Sequence, residues 1–401
     1  MSAQIAPHVQ PVPVIDGAHP EIPAAAEIGA LIDDARVIAF GEAAHNIVEF
    51  TAWGDALLRT LVRDHGVTAF VMETGFAEGL LVDEWIHGGD GTLDDIARRG
   101  ITYRFGESEG MRRQLAWMRD WNAAGGDVHF YGMDLPGSST SPGAAVAACL
   151  ARIPTAAGDD ELLRLTDLGG RTEAAVAYAA MTDAERAGFA EALRTVVARV
   201  RESGDEVALR CARSIEAFLA ELDWSGDQGP YPREGFMAET VQWIAAREER
   251  IFVYAHDTHV RRTAVDGRPW MGALLSEAMG AQLRVLGTTY GTGPVVVFTQ
   301  RSPRPYDCDV ELRERGTAAG GVEEVLDGLL GGADAAVVDL RSLERDAFAG
   351  VDGLLVGGGL ERVDDFPATF DALVHLRRVH AAPGAFERLR EEFDAPGRAA
   401  S

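Results

Sequence analysis

The chain has no lysine; all 37 of its permanently cationic side chains are arginines. That absence excludes Schiff-base chemistry on the protein and a P-loop lysine on phosphate. Positive charge is also scarce against 63 acids, which leaves a net charge of −26. Nucleic-acid backbones are held by clustered cations, so no nucleic-acid partner is expected. Cysteine is nearly missing too. Cys149, Cys211 and Cys308 are odd in number and form no CxxC pair, which argues against a disulfide framework and a thiolate zinc site. No apolar run reaches the roughly 18 residues a membrane span needs. The first 23 residues lack the basic start and apolar core of a signal peptide. A soluble, cytoplasmic protein with no membrane partner is expected. No repeat or low-complexity tract stands out.

Short apolar runs alternate with helical periodicity. Residues 37–40, 67–72, 128–133 and 251–255 read as buried strands, with Gly41 ending the first. Residues 53–65, 77–86, 111–122, 233–250 and 271–279 read as helices between them. This alternation predicts βαβ units, hence an α/β fold with a mostly parallel central sheet flanked by helices. From 144 to 222 the strand pattern vanishes, and amphipathic helices are expected at 162–168, 185–202 and 206–222. Residues 284–287 and 294–299 read as a strand pair with a bend between. The expected organisation is a first part of the core at 24–143, a helical insertion at 144–224, and the rest of the core at 225–401 with a small C-terminal α+β attachment. The proline-bearing start and the loop 224–232 are expected to run over the surface.

The chemistry gathers at strand ends. Glu42 and His45 follow the first strand, His256 and His259 follow a later one, and Glu73 and Asp134 end two more. In open α/β sheets, ligands bind outside the carboxyl ends of the strands, so these six are expected to converge on one rim. Two chemistries fit. A histidine polarised by a carboxylate can act as general base, because imidazole titrates near neutrality. Alternatively, E-x-x-H and H-x-x-H can ligate a divalent metal, although neither is the H-E-x-x-H helix signature. The acid–base reading is preferred, with no metal and no cofactor. Gly106-Glu-Ser-Glu-Gly110 matches the G-x-S-x-G nucleophile elbow in form, but two acids beside Ser108 would oppose an oxyanion. It reads better as a helix start capped by Ser108.

Six segments together resemble the erythromycin esterase family. They are Gly41-Glu-Ala-Ala-His45-Asn46, Glu73-Thr-Gly75, Gly132-Met-Asp134, Arg233-Glu-Gly-Phe-Met-Ala-Glu-Thr240, Ala255-His-Asp-Thr-His-Val260 and Phe370-Asp-Ala-Leu-Val-His375. The resemblance runs nearly end to end and implies hydrolysis of a macrolide lactone by histidine-activated water. By position, His45 would be the general base, with Glu42 and Glu73 orienting it and the water. His256, His259 and Arg233 would support the oxyanion and substrate, and Asn46, Asp134, Asp257 and Gly54 would contact the substrate. Against the family pattern, Ala44 replaces threonine and Asn46 glycine, Asp257 and Thr240 replace asparagines, and Gly54 stands where a basic residue is frequent. Glycine there is expected to open room for a substrate group. The implied partner is a small-molecule natural-product ester or lactone; the oligomeric state is left open. Two other functions remain compatible: a biosynthetic enzyme using the same His/Glu pair for proton transfer, cyclisation or rearrangement, and a non-catalytic binding protein.

Overall fold

Residue 37 begins the strand around which the protein is built. The structure is a computed structural model that describes residues 2–15, 19–20, 25–224, 229–302 and 306–399. Parts of the proline-bearing start (1, 16–18, 21–24) and of the loop 224–232 (225–228) lie outside the described residues. The sheet strands are β1 (Val9–Val12), β2 (Val37–Glu42), β3 (Ala69–Gly75), β4 (His129–Asp134), β5 (Ile251–His256), β6 (Leu283–Gln300), β7 (Cys308–Arg315), β8 (Ala335–Asp339) and β9 (Ala372–Arg378). The chain divides into two units. One holds residues 1–71, 244–298 and 310–386, and the other holds 72–243, 299–309 and 387–401.

In the first unit the strand order is β1-β8-β9-β6-β2-β5-β3, with β7 paired to β6. β6, β2 and β5 are mutually parallel, as are β9 and β6, while β1 and β8 join antiparallel at the edge. Every residue of β2 is buried, as an inner parallel strand requires. Phe40, Phe70, Phe252 and Tyr254 pack on one another with ring centroids 5.9–6.3 Å apart. Helix Val48–Asp64 turns Phe50, Trp53, Leu57 and Leu61 into this core.

Two expectations are corrected here. Gly41 does not end the first strand, which continues to Glu42 in register with His256. The reason for glycine is close packing: a Cβ at Gly41 would lie 2.1 Å from Asp257 Oδ1 and 2.7 Å from Val260 Cγ2. Likewise 284–299 is not a strand pair but one strand, β6, held by pairing with β2 at one end and β9 further on. In the C-terminal stretch β8 and β9 join this sheet directly, and the ribbon Gly353–Val356/Gly359–Arg362 pairs as a separate two-stranded sheet.

In the second unit the end of β3 lies beside β4. Helices Gly143–Leu150, Asp159–Thr166, Arg171–Ala180, Asp183–Arg201 and Glu206–Leu222 fill the stretch where strand pattern vanishes. They pack Val146, Cys149, Phe189, Leu193, Val196, Cys211, Ile215 and Phe218 into one core. Burying each large side chain contributes about 1.5–3 kcal/mol. Thr182 and Glu185 form a capping box, and Asp205 accepts from Ala208 N at 2.7 Å. These caps satisfy amides that a helix start leaves unpaired. Ser108 caps helix Glu109–Ala123 through Met111 N, as its flanking acids suggest. No described helix is long and apolar enough to cross a membrane.

Two buried acids give the fold a pH dependence. Glu78 and Glu323 each accept one backbone N–H, from Gly137 (2.6 Å) and Leu355 (2.7 Å), and the second oxygen of each is buried without a hydrogen-bond partner. Burial pushes both carboxyls up from 4.5 to about 7. The folded chain then binds these protons more tightly than the unfolded chain. The stability these two groups contribute is therefore fully present below the ordinary carboxyl range and is lost as pH rises toward about 7, by roughly 1.4 kcal/mol per pH unit for each group. Glu323→Gln and Glu78→Gln are expected to flatten that slope in urea titrations across pH 4.5–7.5. An unchanged slope in both variants would show that the two acids are ionised in the folded protein.

Candidate active site

Parallel pairing of β2 with β5 sets Glu42 opposite His256 at the carboxyl ends of both strands. Glu42 is buried, and its two oxygens have separate partners. Oε1 lies 2.6 Å from His45 Nδ1, and Oε2 accepts from the Tyr254 hydroxyl. His45 sits at the edge, with its side chain 35% exposed, and its ring centroid is 4.7 Å from that of His256. With Nδ1–H directed at a carboxylate, the lone pair of neutral His45 resides on Nε2, the arrangement a general base requires.

The supports of this group come from the same unit. His256 Nδ1 is engaged by the Thr258 hydroxyl at 3.1 Å, and Thr258 donates to Glu361 at 3.0 Å. Buried Arg261 in turn holds Glu361. The loop after Glu42 is fastened as well: Ala43 N donates to Thr288 Oγ1 at 2.7 Å, and Asn46 O accepts from Ala382 N at 2.7 Å. Asn46 adopts φ +59°, a left-handed conformation that asparagine tolerates better than most residues. His259 is buried and packs on Trp270 at 5.2 Å.

Gly54 and Asp257 have places other than those expected. Gly54 is buried in helix Val48–Asp64, and a Cβ there would lie 2.6 Å from Tyr254 Cε2. The space expected for a substrate group is occupied by the tyrosine ring; glycine lets the helix close on β5 and seat Tyr254 beneath Glu42. Asp257 is also buried, with both oxygens 3.2–3.3 Å from Thr288 N. Burial first, and then the charges of Glu361 and Glu42, push its carboxyl well above the ordinary range. Asp257 thus supports the strand ends from within the core, with its neutral form favoured by burial.

The second unit carries the other three predicted residues. Glu73 lies near the end of β3 and is buried there with Thr74 and Gly75, Asp134 ends β4, and Arg233 lies in the first turn of helix Pro232–Ala245. Arg233 grips Asp134 through Nε (2.8 Å) and Nη2 (2.6 Å), and also Glu73 (2.9 Å). Tyr103 donates to Asp134 Oδ2 at 2.9 Å, and its ring lies under the guanidinium at 5.5 Å. Burial first, and then the charges of Asp134 and Glu73, raise the Tyr103 phenol well above its usual range against the opposing charge of Arg233. Tyr103, Ser138 and Ser139 all have positive φ, so this corner is built from left-handed non-glycine residues.

Of the six strand-end residues, Glu42, His45, His256 and His259 belong to the first unit and Glu73 and Asp134 to the second. Sequence reasoning missed Tyr254, Thr258, Arg261 and Glu361 around the histidines, and Tyr103 beside Asp134. Tyr254 alone left a local signal, since it precedes His256 by two and shares its face of β5.

Two substitutions check these assignments. Gly54→Ala is expected to cost about 1–3 kcal/mol in denaturant melts through overpacking on Tyr254; a neutral result would mean the ring has room to move. Asp257→Asn preserves the shape of a protonated aspartate, so its melting temperature at pH 8 is expected to equal or exceed that of wild type. A loss of several degrees would show that an ionised carboxylate is needed there.

The family profile described as erythromycin esterase matches residues 62–379. An erythromycin esterase type II from Escherichia coli is 27% identical, covering 89% of this chain and 93% of that protein. An erythromycin esterase type I from Escherichia coli is 24% identical over 63% of this chain and 68% of that protein. Among solved structures, an erythromycin esterase mutant, EreC, in its open conformation has a TM-score of 0.70 at 17% identity, covering 93% of this chain and 98% of that one. A structure described as a succinoglycan biosynthesis protein has a TM-score of 0.73 at 18% identity, covering 95% and 97%. Both structural likenesses speak to the α/β fold. With the profile spanning most of its length, this chain belongs to the erythromycin esterase family and is an enzyme of the carboxylic ester hydrolase type.

Proposed function

We propose that this protein hydrolyses an ester or lactone of a macrolide-type natural product, using water activated by His45. The observation that carries the reading is the divided carboxylate of Glu42, 2.6 Å from His45 Nδ1 on one oxygen and bound by Tyr254 on the other. This arrangement holds the imidazole in one tautomer and stabilises the imidazolium that forms when it takes a proton. The relatives named as erythromycin esterases support the choice of substrate class.

In the proposed reaction His45 Nε2 removes a proton from water as the oxygen attacks the acyl carbon. The carbonyl π electrons move to oxygen, giving a tetrahedral oxyanion. Collapse of that intermediate breaks the acyl–oxygen bond, and the imidazolium returns the proton to the departing alkoxide. The products are one carboxylic acid and one alcohol, which remain a single opened molecule when the substrate is a lactone. His256, beside His45, is assigned to the carbonyl oxygen. Within its own unit Arg233 is proposed to position Glu73 and Asp134, the two carboxylates that answer its charge.

The test is mass spectrometry of erythromycin and a panel of simpler esters after incubation, read for gain of one water. His45→Ala is expected to lower turnover by about 10²–10⁴ while the fold survives. Tyr254→Phe removes one hydroxyl from Glu42 and is expected to lower kcat more than it changes KM. Near-normal turnover in folded His45→Ala would sink the assignment of the base. A wild-type protein that binds the macrolide without opening it would favour a binding role.

A further inference from the structure

A second polar cluster lies in the second unit, away from the residues above. His87 follows the last turn of helix Phe76–Ile86, Asp83 lies in that turn, and Asp127 and His129 stand at the start of β4. The imidazoles of His87 and His129 lie side by side, with centroids 4.7 Å apart and planes tilted by 35°. Their Nδ1 edges are taken: His87 Nδ1 lies 2.8 Å from the Asp83 carbonyl, and His129 Nδ1 lies 3.2 Å from Asp83 Oδ1. Their Nε2 atoms point to one carboxylate oxygen, Asp127 Oδ1, at 3.4 and 3.7 Å.

From this geometry we infer that His87 Nε2, His129 Nε2 and Asp127 form a binding site for a divalent transition metal of the zinc class. A tetrahedral ion with bonds of about 2.1 Å separates its ligand atoms by about 3.4 Å, close to the 3.4 and 3.7 Å that separate Asp127 Oδ1 from the two Nε2 atoms. Both rings donate through Nδ1 to oxygen, which sets the tautomer that presents Nε2 to a metal. Two imidazoles and a carboxylate also suit zinc-class ions better than magnesium or calcium, which prefer oxygen alone.

The backbone around the cluster is clamped before any ion arrives. The Asn122 amide nitrogen donates to Val128 O (2.9 Å) and Ile86 O (3.4 Å), and its Oδ1 accepts from Val128 N at 2.8 Å. One side chain thus fixes the residue before His87 and the residue between Asp127 and His129. Asp83 Oδ1 additionally accepts from Phe130 N at 2.9 Å. A bound ion would staple the end of the helix to the start of β4. Asp134 lies at the opposite end of that strand, about 17 Å along it at 3.3 Å per residue, so the site is separate from the Arg233 group.

The experiment is equilibrium dialysis of the untagged full chain against buffered zinc, followed by metal analysis, with cobalt as a spectroscopic probe. One ion per chain is expected, with a tetrahedral-type cobalt spectrum and a rise in melting temperature. The His87→Ala/His129→Ala double variant, checked for fold by circular dichroism, is expected to lose at least tenfold in affinity. Asn122→Ala keeps every ligand and is expected to weaken binding by a smaller factor. Magnesium at the same concentration is expected to leave the melting temperature unchanged. No zinc bound at about 0.1 mM free ion, or a loss of less than tenfold in the folded double variant, overturns the proposal.

Discussion

The two oxygens of Glu42 organise the first unit's chemistry. One holds His45 and the other is held by Tyr254, so the orientation of the exposed imidazole depends on a hydrogen bond made below the surface. Tyr254 in turn stacks on Phe40 at 5.9 Å and is seated by the missing side chain of Gly54. A helix residue with no functional group therefore governs how closely the helix approaches β5, and through Tyr254 it governs the histidine. The parallel register that faces Glu42 with His256 completes the arrangement, because it brings the second imidazole to the same strand ends.

A chain so rich in acids must settle each carboxylate that it buries, and beside the His45 and Tyr254 partners of Glu42 two ways stand out. Glu73 and Asp134 are met by Arg233, Glu361 by Arg261, and Asp371 by Arg262. Arginine suits these places because its planar fork bonds two oxygens and stays charged when desolvated. Asp257, Glu78 and Glu323 instead have raised pKa values, with burial the largest cause, and favour the neutral acid. The difference follows position. The arginine-paired acids stand at strand ends and loops where a long side chain can reach, whereas Asp257 is pressed against Gly41 and leaves no room for one.

Much of the architecture was legible because inner parallel strands write themselves as short apolar runs. The α/β class and the strands around residues 37, 69, 129 and 251 followed from that pattern, and Glu42, His45 and His256 followed from their place just beyond it. Gly41 misled because glycine ends strands in most contexts, and only a neighbouring chain segment reveals that a Cβ would strike Asp257. Residues 284–299 misled for a similar reason: the threonines and glycines at 288–293 resemble a turn, but pairing with β9 keeps them extended.

What the sequence determined by itself is which side chains are candidates for chemistry and which strand ends they follow, since local periodicity and short-range order encode both. Tertiary structure alone decided who touches whom. The partners of Glu42, 3 and 212 positions away, were not equally visible: His45 lies in the same loop, while Tyr254 meets the carboxylate only through strand pairing. The same holds for the pair of imidazoles at 87 and 129, which no spacing rule connects and which a helix end and a strand start bring within 4.7 Å. Contacts of that kind depend on register and on the close approach of backbones, and neither is written in any local stretch of the chain.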